Sequence, residues 1–538
     1  MVQGTLGLVL TLLLITSVER VASVARPLQD GLAIDSNRHD CAPHEVHLSL
    51  TGDASEILVS WRTEGESCPS SVALWTADEN AQPNEPPPGA NELIGSMSSY
   101  SSRDMCSAPA RDFDYSPLSL HSVVLTDLVP GARYRYKVKH GSSVFFRAPS
   151  APSPDAGLKF IAFGDMGESE HRAAKSPGAQ DTADCLKDEV EAGAELIYHI
   201  GDLAYANGHK TIWDTFMDSI EPVASRVPYM VGIGNHEYDW EHKNSHEPDA
   251  SGADLPYAPD WGNFGNDSGG ECGVAAAKHF MMPSFAERGY WAPGANAGNA
   301  SLGPDGCRNP TLDRVRGAVP SPDAAPAAGA GADAACGAAN HGGLAPNPPF
   351  WYSFGQGPVH FLTISTEHDL SPHSQQYKWI KRDLARVDRC TTPWVVVGMH
   401  RPMYVVFPHK SNRIVGQHLR DHLEELFNRY EVDVVVSGHV HSYSSSCNVL
   451  DETCIRREEG GMMHFIVGTA GHKLSHIGRS QYDWVSSTEE RFGYLRVDVE
   501  PRGGMTLQFV GSEDGRVYDD VRLEPDRARL RACRAAEA

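Results

Sequence analysis

Five short apolar runs between residues 160 and 441 each end in a glycine beside side chains that bind metal ions. Phe160-Ile161-Ala162-Phe163 leads into Gly164-Asp165, and Leu196 to Ile200 leads into Gly201-Asp202. Tyr229 to Ile233 leads into Gly234-Asn235-His236-Glu237, and Val395-Val396-Val397 into Gly398-Met399-His400. Val432 to Val436 leads, after Ser437, into Gly438-His439-Val440-His441. Apolar runs this short, bounded by glycine, read as buried strands. The residue just past the C-terminal end of such a strand projects into the crevice where open α/β sheets bind ligands. Glycine beside it lets the backbone turn sharply and approach closely. One such ending is an ordinary turn. Five in this order gather two Asp, one Asn and three His, a mixed oxygen and imidazole shell that suits zinc, iron or manganese rather than calcium. His439 and His441, two apart, reach a binuclear centre from different directions.

The rest of the chain frames that centre. At 538 residues it is long enough for two or three domains. Residues 1–25 read as a cleaved secretory signal peptide. Leu6 to Ile15 is apolar but too short to span a bilayer, and Ser23-Val24-Ala25 supplies small residues for cleavage. No other apolar run is long enough for a transmembrane segment. Residues 40–148 alternate like short strands with turns between them, and Trp61 stands where a β-sandwich core wants a large aromatic. The proline-rich stretch from Ala148 to Pro154 is a stiff linker. From 155 to 515 strand-like runs alternate with helical stretches, such as Leu186 to Ala192 and His418 to Arg429, which predicts a layered α/β domain. Residues 291–348 are rich in Ala, Gly, Pro and Asn and read as a low-complexity surface insertion. After strands at Tyr494 to Val499 and Met505 to Val510, residues 516–538 read as a charged tail.

Eleven scattered cysteines without a CxxC pair fit disulfides in an oxidising compartment. Cys447 and Cys454 suit a short-loop disulfide, and the odd count leaves a thiol over, with Cys533 the candidate. Asn266-Asp267-Ser268 and Asn299-Ala300-Ser301 are glycosylation acceptors by pattern. A formal charge of −24 argues against a nucleic-acid-binding surface. It also means that an anionic phosphate needs local cations to reverse the field inside a cleft. The 25 histidines and many carboxylates would take up protons at low pH, which is compatible with an acidic compartment.

Gly164-Asp165-x-Gly167, Gly201-Asp202-x-x-Tyr205, Gly234-Asn235-His236-Glu237, the His400 segment and Gly438-His439-x-His441 resemble the five blocks of the purple acid phosphatases, within the metallophosphoesterase superfamily. Ser268 to Gly273 and Phe492 to Leu495 are similar to that family's large plant-type form. The resemblance implies an αββα catalytic domain preceded by a fibronectin type III-like sandwich. It implies an acid phosphatase that hydrolyses phosphate monoesters with a hydroxide activated at a binuclear Fe(III)–M(II) centre. Ferric iron would take Asp165, Tyr205, His441 and a shared oxygen of Asp202; a divalent zinc, manganese or iron would take Asn235, His400, His439 and the same Asp202. Tyr205 separates this family from its relatives, because a phenol with a pKa near 10 ligates as phenolate only to a strong Lewis acid. His236 would hydrogen bond the phosphate and protonate the leaving alkoxide, and His409 would contact substrate. Phosphate esters as substrates, dimerisation through the sandwich and a secreted or acidic vacuolar location are further implications. One departure stands out: Ser442-Tyr443-Ser444-Ser445-Ser446 lacks the Glu and Arg the family carries there. A phosphodiesterase or sphingomyelinase-like relative is the enzymatic alternative, opposed by Tyr205 and the sandwich. A catalytically silent binding protein is the other, opposed by seven filled ligand positions and His236.

Overall fold

The computed structural model describes residues 41–77, 85–113, 115, 117–168, 174–239, 257, 259–283, 345–406, 409–478 and 482–537. The leader expected over 1–25, Asn299 and nearly all of the 291–348 insertion lie outside the described residues.

The N-terminal part is a two-sheet sandwich. Its strands are β1 (His44–Leu50), β2 (Ile57–Thr63), β3 (Ser71–Thr76), β4 (Asn91–Ile94), β5 (Ser96–Ser98), β6 (Ser119–Leu125), β7 (Arg133–Val138) and β8 (Ser143–Arg147). One sheet runs β1-β2-β6-β5 and the other β4-β3-β7-β8. Alternation in β7 buries Tyr134, Tyr136 and Val138 while Arg133, Arg135 and Lys137 face outward, as a half-buried strand requires. Trp61 is buried in the sandwich core, its ring stacked on His121 at 5.2 Å.

Beyond the linker the chain alternates strand and helix, because buried parallel strands need long crossovers. In order come β9 (Leu158–Phe163), α1 (Ala179–Glu191), β10 (Leu196–Ile200), α2 (Lys210–Ala224), β11 (Tyr229–Gly232) and α3 (Val274–His279). The second group is β12 (Tyr352–Gln356), β13 (Val359–Ile364), α4 (Gln375–Leu384), β14 (Trp394–Met399), α5 (Lys410–Arg429) and β15 (Val434–Ser437). Then follow β16 (Tyr443–Ser446), β17 (Val449–Leu450), β18 (Thr453–Cys454), β19 (Met463–Val467) and β20 (Val485–Glu489). The chain closes with β21 (Gly493–Val499), β22 (Met505–Gly511), β23 (Val517–Leu523) and α6 (Arg527–Glu537).

Two mixed sheets result, β11-β10-β9-β21-β22-β23 and β12-β13-β14-β15-β19-β16-β20. Strands β9, β10 and β11 are parallel, as are β13, β14, β15 and β19. The sheets meet through aromatic side chains: Phe160 and Phe361 pack edge to face at 5.0 Å, and the Tyr198 hydroxyl bonds that of Thr363 at 2.8 Å. With helices covering the outer faces, this is the layered αββα arrangement expected. All five metal-side-chain clusters sit past the C-terminal ends of parallel strands.

The sandwich docks on this domain through β1. Leu48 bridges Pro228 in parallel beside β11, so β1 covers what would be an open sheet edge. Helix α2 packs on β1, the Tyr136 hydroxyl donates to the Ser225 carbonyl at 2.8 Å, and a Cys106–Cys272 disulfide ties the two parts.

The C-terminal expectation is corrected. Residues 516–538 are not a bare charged tail: β23 extends the first sheet by pairing with β22, and α6 is tied back by a Cys390–Cys533 disulfide. Cys533 is therefore not the unpaired thiol; among the described residues that is Cys185, half-buried. Charge misled the reading, because β23 (Val-Tyr-Asp-Asp-Val-Arg-Leu) is an edge strand largely open to solvent. The Cys447–Cys454 disulfide forms as expected, closing the β17–β18 hairpin.

Candidate metal centre

The turns that follow β9, β10 and β15 hold their functional side chains in left-handed backbone. Asp165 has φ +62°, Asp202 +51°, Tyr205 +52° and His439 +66°. Each such non-glycine residue costs about 1 kcal/mol or more, and strain gathered in one place marks a functional turn. The neighbouring glycines are there for space. A Cβ on Gly234 would lie 2.2 Å from Asp202 Oδ1, and one on Gly438 would lie 2.3 Å from Asp165 Oδ2.

Two ligand groups converge and share one residue. Asp165, Asp202 and His441 form one, Asp202, His400 and His439 the other, with the ligand atoms of each group within 4.8 Å of one another. In the first, Tyr205 donates its hydroxyl to Asp165 Oδ1 at 3.0 Å and lies 2.9 Å from His441 Nε2. In the second, Asn235 Oδ1 lies 3.2 Å from His400 Nε2 and 3.0 Å from His439 Nδ1. All seven sequence-predicted ligands are thus in one cluster.

The chemistry of that cluster fits cations. Asp165 and Asp202 are fully buried, and their ion-pair partners among the described residues are histidines only, with no Arg or Lys. Buried carboxylates need a compensating positive charge. Without a metal, burial pulls the His400 pKa down but the Asp202 carboxylate lifts it further, to about 10. Tyr205 is pushed well up by burial and by Asp165 and Asp202. A cation would have to displace both protons, which is how metal binding couples to pH. Two of the imidazoles are already aimed by backbone carbonyls. His400 Nδ1–H donates to the Ile200 carbonyl at 3.1 Å, and His441 Nδ1–H to that of Lys473 at 2.8 Å, leaving each Nε2 for the ligand cluster.

His236 is held beside the cluster as expected. Its backbone N–H donates to Asp202 Oδ1 at 3.0 Å, its Nε2 lies 3.9 Å from Asp202 Oδ2, and its Nδ1–H reaches Asn207 Oδ1 at 2.9 Å. His409 is the N-cap of α5, exposed, with its ring bonded to the Ser411 hydroxyl at 2.5 Å. The departure at 442–446 is filled locally: Tyr443 and Ser445 hydroxyls donate to Asp519 on β23 at 2.7 and 2.6 Å.

Several supporting residues escaped the sequence reading. Glu237 accepts the N–H groups of Asp202, Leu203 and Gly234 at 2.7–2.9 Å, pinning two ligand turns together. Its place in Gly234-Asn235-His236-Glu237 carries no local signal of that role. Asp267 accepts from Asn235 Nδ2 at 3.0 Å, although by sequence pattern its triplet signals only the glycosylation acceptor Asn266. His472 stacks on the Tyr205 ring at 3.9 Å, and nothing in the local sequence marks it. Asn207 carried a usable signal, an Asn-Gly turn two residues after Tyr205.

Comparisons with known proteins agree with this geometry. Residues 43–152 match the family described as "Purple acid Phosphatase, N-terminal domain". Residues 158–279 and 338–443 match "Calcineurin-like phosphoesterase", and 461–520 match "Iron/zinc purple acid phosphatase-like protein C". The chain is 30% identical over 509 residues to "Probable inactive purple acid phosphatase 9" of Arabidopsis thaliana, covering 89% of this chain and 67% of that one. It is 26% identical to the barley (Hordeum vulgare) "Nucleotide pyrophosphatase/phosphodiesterase", covering 75% and 94%. A solved purple acid phosphatase from yellow lupin (Lupinus luteus) seeds superposes with a TM-score of 0.67 at 25% identity, covering 91% of this chain and 76% of that one.

Proposed function

Because this chain belongs to the purple acid phosphatase family, we propose that it is a working phosphatase that hydrolyses phosphate monoesters at the paired ligand cluster. The observation that carries this reading is the sharing of Asp202 between two complete ligand groups. Asp165, Tyr205, His441 and Asp202 would hold ferric iron; Asn235, His400, His439 and Asp202 would hold zinc, manganese or iron in the divalent state. Such a pair supplies Lewis-acid polarisation of phosphate oxygens and a more acidic water. The protein's own groups do the rest. Asn207 accepts from Nδ1–H of the His236 ring, so once that ring is protonated the Nε2 proton is the one that would pass to the leaving alkoxide, returning the ring to its neutral form. His409, the exposed N-cap of α5, precedes by three residues Asn412, whose side chain reaches His439, and this nearness supports a contact between His409 and substrate.

A relative's name includes "probable inactive". Filled ligand positions and an oriented His236 support activity here. The barley relative's name keeps diester and pyrophosphate bonds as the rival substrates. Four disulfides among the described residues support passage through an oxidising compartment, so we read the chain as secreted or vacuolar. No helix among the described residues is long and apolar enough to cross a membrane. Asn266 is exposed, as a glycosylated residue must be.

The test joins metal analysis and a visible spectrum with assays on p-nitrophenyl phosphate and its bis ester. The expected result is two metals per chain, a broad visible band lost in Tyr205→Phe, and preference for the monoester. A colourless protein with two zinc or manganese ions, unchanged in Tyr205→Phe, overturns the ferric assignment. Preference for the diester overturns the monoesterase, and no hydrolysis by the two-metal protein overturns the enzyme.

A further inference from the structure

Strand β19 runs parallel to β15, with Ile466 paired to Ser437, and ends at the same edge of the sheet. The segment that follows, residues 468–475, supplies none of the seven ligands, yet it lies directly on the half of the cluster built from Asp165, Tyr205 and His441. Two glycines permit that approach. A Cβ on Gly468 would lie 2.4 Å from the Val440 carbonyl oxygen and 2.9 Å from Asp165 Oδ2, and one on Gly471 would lie 2.4 Å from the Met166 carbonyl oxygen. Hydrogen bonds then fasten the segment. The N–H of Ala470 donates to the Gly164 carbonyl at 3.2 Å, that of His472 to the Asp165 carbonyl at 2.9 Å, and that of Ser475 to the His441 carbonyl at 2.8 Å. The Lys473 carbonyl accepts the His441 Nδ1–H. One short strap is thus tied to both the Asp165 turn and the His441 turn.

From the middle of that strap the His472 side chain reaches the ligands. Its ring stacks on that of Tyr205, with centroids 3.9 Å apart and planes within 16° of parallel. It packs edge to face on His441 at 4.9 Å, the two Nδ1 atoms 3.3 Å apart. A second imidazole, His236, packs on the Tyr205 ring at 4.3 Å. A tyrosine ring can turn about two side-chain torsions, and only one setting brings the Tyr205 hydroxyl to Asp165 Oδ1 and His441 Nε2 together. A ring laid flat against it restricts that choice, which is how packing behind a ligand fixes its aim.

We infer that His472 is a positioning residue for Tyr205: its stacked ring, carried on a strap bonded to the turns of two other ligands, holds the phenol with its oxygen turned to Asp165 and His441, where ferric iron would bind. The inference rests on the ferric reading above, and the test separates the two.

His472 is half-buried, so its replacement leaves the core intact. His472→Ala removes the stacked ring; His472→Phe keeps a flat one. The full chain, loaded with iron and zinc, is dialysed against graded chelator while the visible band, both metals and the circular-dichroism melt are followed. In His472→Ala the band should shift or weaken, and iron should be lost at chelator concentrations about 10–100-fold lower, the usual effect of losing a group that orients a ligand. Zinc should be retained as in the unaltered protein, and His472→Phe should keep both band and iron. An unchanged band and unchanged iron retention in His472→Ala overturn the inference. So do equal losses in the two variants, or loss of iron and zinc together with a lowered melting temperature, which would mark general damage to the fold. A colourless unaltered protein overturns the ferric reading, and the role of His472 with it.

Discussion

The two halves of the ligand cluster differ in charge and in how they are supported. The half built on Asp165, Tyr205 and His441 is acidic: apart from the shared Asp202 it offers a carboxylate and a phenol. Its partners are backbone and rings, with Lys473 aiming His441 and His472 covering Tyr205. The half built on Asn235, His400 and His439 offers only neutral ligands besides Asp202. His400 is aimed by the Ile200 backbone carbonyl, as His441 is by that of Lys473, but this half's other outer contacts are side chains, with Asp267 on Asn235 and Asn263 and Asn412 on His439. More anionic ligands favour the more highly charged cation, so on the proposed reading the acidic half is the one that would take the trivalent ion. A symmetric cluster would draw no such distinction.

The strongest way to break that comparison is to remove what the halves share. Asp202→Asn should leave both ions weakly held and lower kcat/KM by about three orders of magnitude, or ~4 kcal/mol of barrier. Loss of one ion alone, by metal analysis, would mean that Asp202 serves a single half. Next is His236, which on the proposed reading serves the reaction and neither half. His236→Ala should keep both metals while kcat for an alkyl phosphate falls about 10²–10⁴-fold. A p-nitrophenyl ester, whose leaving group needs no proton, should lose far less; equal losses would deny the proton-donor role.

A third prediction sets site histidines against scaffold histidines. Burial holds His199, His368 and His464 near pKa 3, below the unfolded value of 6.5. Below pH 6.5 the unfolded chain binds protons that the folded chain refuses. Stability from these rings is therefore complete above 6.5 and declines as pH falls toward 3, at up to about 1.4 kcal/mol per pH unit for each ring. His400 has the opposite sign in metal-free protein: raised to about 10, it stabilises below 6.5 and that contribution is lost as pH rises through 10. Thermal melts of metal-free protein from pH 7 to 4 should drop steadily, and replacing His464 with Gln should flatten the drop. A melting temperature that holds constant to pH 4 contradicts the assignment. The smallest effect belongs to His409, the exposed N-cap of α5. His409→Ala should change KM by less than about tenfold, since single polar contacts to a solvated substrate are worth ~1 kcal/mol. A collapse of kcat instead would place it in the chemistry.

The local chain determined a good deal of this molecule. A buried parallel strand has to be a short apolar run, and its C-terminal end has to turn, so Phe160 to Asp165 or Val432 to His441 carries both signals in adjacent residues. That is why the seven residues that cluster, the layered fold and the Cys447–Cys454 disulfide are legible in the chain. The C-terminus was not. Charges on β23 look like those of a tail until Asp519 is seen accepting from Tyr443 and Ser445, and Cys533 has no partner until Cys390 is folded beside it. The supporting shell is the same case on a finer scale. Asn263 lies 176 residues from His439, and Arg401 lies 138 from Asn263, with nothing in either stretch of chain to announce the contact. A ligand's identity is set by its own chemistry and its place at a strand end, whereas its orientation is set by whatever packs behind it. The first is a property of adjacent residues and was written in the chain; the second is a property of distant ones, which only the packed structure brings within a hydrogen bond.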